Sequence, residues 1–95
     1  MSGAGRSAVR AVIRGRVQGV YYRGWTEEEA NRRGLAGWVQ NMPDGSVKAQ
    51  FAGPEAAVEA MLAALWQGPR DAEVAAVEVE RLAEIPPIAG FRINR

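Results

Sequence analysis

Hydrophobic and polar positions alternate with a period of two in some stretches of the chain and recur with a helical period in others. Residues Ala8 to Val17 read AVRAVIRGRV. Val9, Ala11 and Ile13 fall on one side and Arg10, Val12 and Arg14 on the other, the pattern of a half-buried strand. Past Gln18 the period changes. Tyr22, Thr26, Ala30 and Arg33 recur at spacings of four, four and three, which predicts a helix with a narrow packed face that stops at Gly34. Glu27, Glu28 and Glu29 read as its solvated acidic first turn, and Arg32 and Arg33 as its basic end, the polarity that the helix dipole favours. Leu35 to Asn41 reads as a second strand. Met42-Pro43-Asp44-Gly45 is turn chemistry, and Ser46 to Ala52 is the return strand of a hairpin, with Val47, Ala49 and Phe51 on one face.

Gly53-Pro54-Glu55 opens a second helix, with Pro54 in its first turn and an acid beside it. Val58, Met61, Leu62 and Leu65 stand at i, i+3, i+4 and i+7, the clearest amphipathic signal in the chain. Gly68-Pro69 ends it. In Glu73 to Leu82, Val77 and Val79 alternate with Glu78 and Glu80, which predicts a fourth strand. Ile85-Pro86-Pro87 reads as an irregular connector, and Phe91 and Ile93 mark a short final strand. The order β-α-β-β-α-β predicts an α+β domain of the ferredoxin-like, split-βαβ kind. Its four-stranded antiparallel sheet gains a short terminal strand and carries two helices on one face.

Composition narrows the chemistry. The chain has 95 residues, enough for one domain, expected over residues 8–95 behind a flexible tail at residues 1–7. That tail, MSGAGRS, lacks the apolar stretch of a signal peptide, and no apolar run has membrane-span length, so the expected location is cytoplasmic. There is no cysteine and no histidine. Disulfides, thiolate nucleophiles, imidazole bases and Cys or His metal ligands are thereby excluded. A net charge of +1 is too mild for a dedicated nucleic-acid binder. Chemistry is left to arginine, asparagine, carboxylates, hydroxyls, Lys48 and backbone amides.

One segment combines these groups: Gly15, Arg16, Val17, Gln18, Gly19, Val20, Tyr21, Tyr22 and Arg23. It leaves a strand, turns through two glycines and starts a helix. Successive backbone N–H groups in such a turn converge into an anion nest, and a helix N-terminus adds unpaired donors and partial positive charge. Arg23, on the first turn, is placed to reach back over the nest with a planar fork of donors. A phosphate-sized anion fits, with inorganic phosphate or sulfate as simple occupants. This is not a Walker loop, because no Gly-Lys-Ser/Thr follows.

G-R-V-Q-G-V-Y-Y-R, followed by Gly34-Leu35-Ala36-Gly37-Trp38-Val39-Gln40-Asn41 and Asp44-Gly45-Ser46-Val47, resembles the acylphosphatases. The resemblance runs from about Val9 to Ile93. It implies hydrolysis of small-molecule acyl phosphates to carboxylate and inorganic phosphate, with no metal and no cofactor, on a ferredoxin-like fold. It also implies a monomer, without nucleic-acid or membrane partners. The family's phosphate-holding arginine corresponds to Arg23, and the asparagine that positions the attacking water corresponds to Asn41. Two positions depart from the family's pattern. Tyr22 stands where phenylalanine is common, and Met42, beside Asn41, where a small polar residue is common.

Plainer roles stand beside these. Asn41 also suits the start of the Met42–Gly45 turn. Arg16 shares parity with Arg10 and Arg14 and reads as part of a solvated strand face. Tyr21, Tyr22, Trp25, Trp38 and Trp66 read as packing residues, and a buried Tyr22 hydroxyl requires a partner. Glu27 to Glu29 diverge by about 100° per residue and do not converge on one metal ion. Two other functions compete: a catalytically silent phosphate or carbamoyl-phosphate binding module of the same fold, and an RNA-binding domain. The second lacks a cluster of sheet aromatics, since the third strand offers only Phe51 beside Val47 and Ala49.

Overall fold

The computed structural model describes residues 5–94; the part of the expected tail at residues 1–4 lies outside them. The elements are β1 (Arg6–Arg16), α1 (Tyr22–Arg32), β2 (Ala36–Asn41), β3 (Val47–Pro54), α2 (Glu55–Leu65), β4 (Glu73–Arg81) and β5 (Phe91–Ile93). They form a five-stranded sheet in the order β4-β1-β3-β2-β5. The first four strands pair antiparallel, and β5 joins β2 in parallel. The architecture is the expected ferredoxin-like one. β1 begins two residues earlier than the Ala8 read from the sequence, because Arg6 and Ser7 pair with Pro54 and Gly53. Pro54 accordingly ends β3 and caps α2 instead of lying in its first turn.

Strand register explains the core. Val9 faces Phe51, Ala11 faces Ala49 and Ile13 faces Val47 across β1 and β3. These side chains are fully buried, together with Val39 of β2. α2 places Val58, Met61, Leu62 and Leu65 against them, and α1 contributes Tyr22 and Ala30 to the same cluster. Both helices therefore cover one face of the sheet. Phe91 of β5 stacks on Phe51 at 5.5 Å between ring centroids, which fastens the short strand to the core.

The other face is polar. The Arg10 guanidinium donates twice to Gln50 Oε1, at 2.9 and 3.2 Å. Arg14 bridges Glu78 at 3.1 Å and Asp44 at 3.3 Å. Arg16 is exposed, in keeping with its parity. Trp38 lies opposite Gln50 in the β2–β3 register and so shares this face, while Phe51 turns into the core. The β4 edge carries exposed Glu78, Glu80 and Arg81, charges that discourage pairing with another chain.

Two expectations are corrected. The first turn of α1 holds no acidic residue, because the helix starts at Tyr22 and Glu27 to Glu29 fall in its middle. Glu29 instead pairs along the helix with Arg32 and Arg33, the i,i+3 and i,i+4 geometry. Trp66 is not a packing residue: it caps the C-terminus of α2 and is exposed. Trp25 does pack, with its ring 5.3 Å from that of Tyr22.

The β2–β3 hairpin is closed by Asp44, whose Oδ1 accepts from the Ser46 amide at 3.0 Å and the Ser46 hydroxyl at 2.6 Å. These two donors, and then Arg14, hold the Asp44 carboxyl at about 2, below its usual 3.8. A depressed carboxyl stabilises the folded state above its unfolded pKa and loses that contribution as pH falls through the folded one. Urea midpoints measured from pH 6 to pH 2 are therefore expected to fall more steeply below roughly pH 4 for the wild type than for Asp44→Ala. Parallel curves for the two proteins would refute the assignment.

Candidate active site

β1 and α1 are joined by only five residues, and that brevity shapes the site. Gly19 takes φ 76°, and nothing lies within 4 Å of where a Cβ would stand. Its need is thus conformational, a left-handed turn that glycine adopts without penalty. Tyr21 follows at φ 68°, the single non-glycine residue with positive φ among those described, and precedes the first residue of α1. No side chain caps this end of the helix. The N–H groups of its first turn therefore have no partner within the helix.

A pocket of about 260 Å³ opens at this end of α1. Val17, Gly19, Tyr21 and Tyr22 line it from the loop, with Arg23 and Gly24 from the first turn. Asn41 and Ile93 line it from the ends of β2 and β5. The two residues singled out for chemistry, Arg23 and Asn41, thus meet at one pocket although they stand on different elements. Arg23 takes part in none of the ion pairs among the described residues, so its charge is not already spent on a carboxylate. Asn41 Oδ1 is buried and has no hydrogen-bond partner among the described residues. The turn that follows Asn41 is closed by Asp44.

The remaining members of the Gly15–Arg23 segment divide between scaffold and lining. Gly15 and Arg16 belong to β1, opposite Val74 and Glu73, just past a register shift. A Cβ on Gly15 would stand 2.2 Å from the Glu73 carbonyl oxygen, so this glycine serves strand contact and not the pocket. Gln18 clasps the hairpin: its Nε2 donates to the backbone carbonyls of Met42 at 2.9 Å and Ser46 at 2.8 Å. Val20 packs against the core. Tyr22 is buried as expected, and its hydroxyl donates to the Leu65 carbonyl at 2.6 Å. Burial pushes its phenol pKa up. Met42 turns its sulfur to Gln40 Nε2 at 3.3 Å and borders a different hollow, beside Val12 and Arg14. It reaches the site only through its main chain.

Tyr21 reverses its expected role. It is 64% exposed, and its hydroxyl donates to Glu28 Oε2 at 2.7 Å. That hydrogen bond, followed by the charge of Glu28, raises its pKa. Gly24 and Ile93 also line the pocket, outside the motif residues singled out above. A glycine within the first turn of a helix was the available sign for the first, and the alternation from core Phe91 for the second.

The acylphosphatase family model matches residues 9–93. The chain belongs to the acylphosphatase family. An acylphosphatase of Rhizobium meliloti (strain 1021) is 53% identical over 90 residues, 95% of each chain. The crystal structure of acylphosphatase from Bacillus subtilis superposes with a TM-score of 0.91 at 34% identity, over 94% of this chain and 99% of that one. The phosphate- and nucleotide-bound full-length HypF structure gives a TM-score of 0.83 at 22% identity. The match occupies 12% of that longer chain and speaks for the fold alone. Membership makes the chain an acylphosphatase, a hydrolase of small-molecule acyl phosphates.

Two substitutions separate loop geometry from core packing. Gly19→Val forces a β-branched residue into left-handed backbone, and inorganic phosphate affinity is expected to fall far more than the unfolding midpoint. Tyr22→Phe leaves the Leu65 carbonyl without its donor and is expected to cost about 1–3 kcal/mol in denaturant unfolding.

Proposed function

We propose that this pocket holds the phosphoryl group of the acyl phosphate and that Asn41 positions the water that attacks it. The observation that carries the reading is the meeting of two groups in one pocket that, among the described residues, are uncommitted: a guanidinium outside any ion pair and a buried amide oxygen without a partner. Phosphoryl transfer asks little covalent help from a protein. It requires charge neutralisation and a nucleophile held in line with the leaving group. Arg23 and the first-turn amides of α1 supply the first, with no reorganisation needed as charge develops. The Asn41 side chain supplies the second, accepting from water through Oδ1 and donating through Nδ2.

In this scheme the water oxygen bonds to phosphorus as the bond from phosphorus to the acyl oxygen breaks. The carboxylate leaves with the electron pair and is stable enough to need no general acid. Asparagine is a poor base, so the water's proton passes to a phosphoryl oxygen. Inorganic phosphate is the second product and a competing ligand for the same donors. The scheme uses no metal ion, since cationic and dipolar groups of the chain carry the neutralisation. All of its groups come from one chain, which suits a monomer, and we read the protein as a cytoplasmic one.

Steady-state hydrolysis of benzoyl phosphate in excess chelator tests the reading. Turnover is expected to be indifferent to the chelator and inhibited competitively by phosphate. Arg23→Ala is expected to lower kcat/KM by at least roughly 10²–10³-fold and to weaken phosphate inhibition. Asn41→Ala is expected to lower kcat by a similar factor while phosphate inhibition holds. A folded Asn41→Ala protein with full activity would falsify the water-positioning role. Phosphate binding without any turnover by the wild type would instead identify a silent binding module.

A further inference from the structure

From the Tyr21 ring we infer a recognition wall for the acyl portion of the substrate, one that favours planar aromatic acyl phosphates over small aliphatic ones. The inference rests on the site reading above and goes beyond it.

Three local features are each unfavourable alone. A tyrosine holds φ 68° beside the pocket, a backbone state that is strained for a bulky residue. A glycine sits in the first turn of α1, where it disfavours the helix. A large aromatic side chain stands mostly in solvent. One arrangement accounts for all three. A Cβ on Gly24 would lie 2.3 Å from Tyr21 Cε1 and 2.5 Å from Cζ. The ring therefore rests on the bare backbone of Gly24, and the helix start is thinned to seat it. The hydroxyl is tethered to Glu28 at 2.7 Å, one turn further along, which fixes the ring's direction. Nothing in the core requires this. The ring is not part of the buried cluster, yet the Gly24 backbone and the Glu28 carboxylate hold it in place.

Its position gives it a use. The pocket, at about 260 Å³, is far larger than the roughly 10–15 Å³ that a single water needs. Asn41 and Ile93 stand on strands, whereas Tyr21 and Gly24 stand at the helix start. In-line displacement sends the leaving group away from the water. With the water at Asn41, the carboxylate departs toward the helix side, where the Tyr21 ring is the aromatic surface. A flat acyl group stacks on such a ring, and a methyl group gains little from it.

The test compares benzoyl phosphate with acetyl phosphate in wild type, Tyr21→Asn and Tyr21→Phe. Asparagine tolerates left-handed backbone, so Tyr21→Asn removes the ring without adding strain. Wild type is expected to prefer benzoyl phosphate in kcat/KM, and Tyr21→Asn to reduce that ratio roughly 5- to 10-fold. Tyr21→Phe, which keeps the ring, is expected to keep the preference. An unchanged ratio in Tyr21→Asn, or an equal loss on both substrates, overturns the inference. A wild type inert toward both overturns the proposed activity instead. The ring is then judged by calorimetry alone, with phenylphosphonate against inorganic phosphate: a preference lost in Tyr21→Asn supports the wall, and one retained removes it.

Discussion

The site depends on two hydrogen bonds from one amide. Gln18 donates to the carbonyls of Met42 and Ser46, and in doing so ties the β1–α1 loop to the β2–β3 hairpin. Asn41 is the residue before Met42, at the end of β2, so the clasp sets its distance from the loop. Each carbonyl already accepts one backbone N–H, Met42 O from Gly45 and Ser46 O from Met42, and Gln18 adds a second donor to both. Hairpin geometry is fixed independently by Asp44 and Ser46. The clasp therefore registers two pieces against each other, the β1–α1 loop and the hairpin that carries Asn41.

That arrangement shows why a chain without histidine or cysteine suffices. An acyl phosphate carries an activated leaving group, so little acid catalysis is asked of the protein. Arg23 is half-buried and belongs to none of the ion pairs among the described residues, whereas Arg14, Arg32, Arg33 and Arg81 all belong to pairs. Surface pairs of that kind contribute little to stability. Their absence at Arg23 costs the fold little and leaves a full cationic fork at the pocket.

Strand alternation and the Val58, Met61, Leu62 and Leu65 stripe carried the fold, because burial on one face is a periodic demand and periodicity is visible in a sequence. The packed face of α1 was legible for the same reason. The helix start was not. Three glutamates looked like a first turn, but the true start lies five residues earlier, set by left-handed residues that no hydrophobic pattern records. Tyr21 and Tyr22 show the limit most clearly. They are identical neighbours with opposite fates, one exposed at the pocket and one buried under α2. Residue type could not divide them; the backbone angle between them did. Arg23 and Asn41 were legible through whole motifs, whereas Gln18 was read only as part of the loop, since its partners are main-chain atoms 24 and 28 residues away.

Strain and function meet at that same junction. A helix that began with an ordinary cap would present a serine or aspartate oxygen to its first N–H groups and consume the donors that an anion needs. Starting α1 from a left-handed Tyr21, with no side-chain cap, leaves those donors free of a capping side chain. The cost is a strained residue and an uncapped helix end, and the compensation lies nearby. The Tyr22 hydroxyl anchors the first turn to the Leu65 carbonyl, and the Thr26 hydroxyl bonds back to the Tyr22 carbonyl. The buried side of the turn is thus overdetermined while its exposed side is kept open. An unfavourable local conformation persists only where its surroundings fix it in this way, and here the surroundings fix it from the core outward.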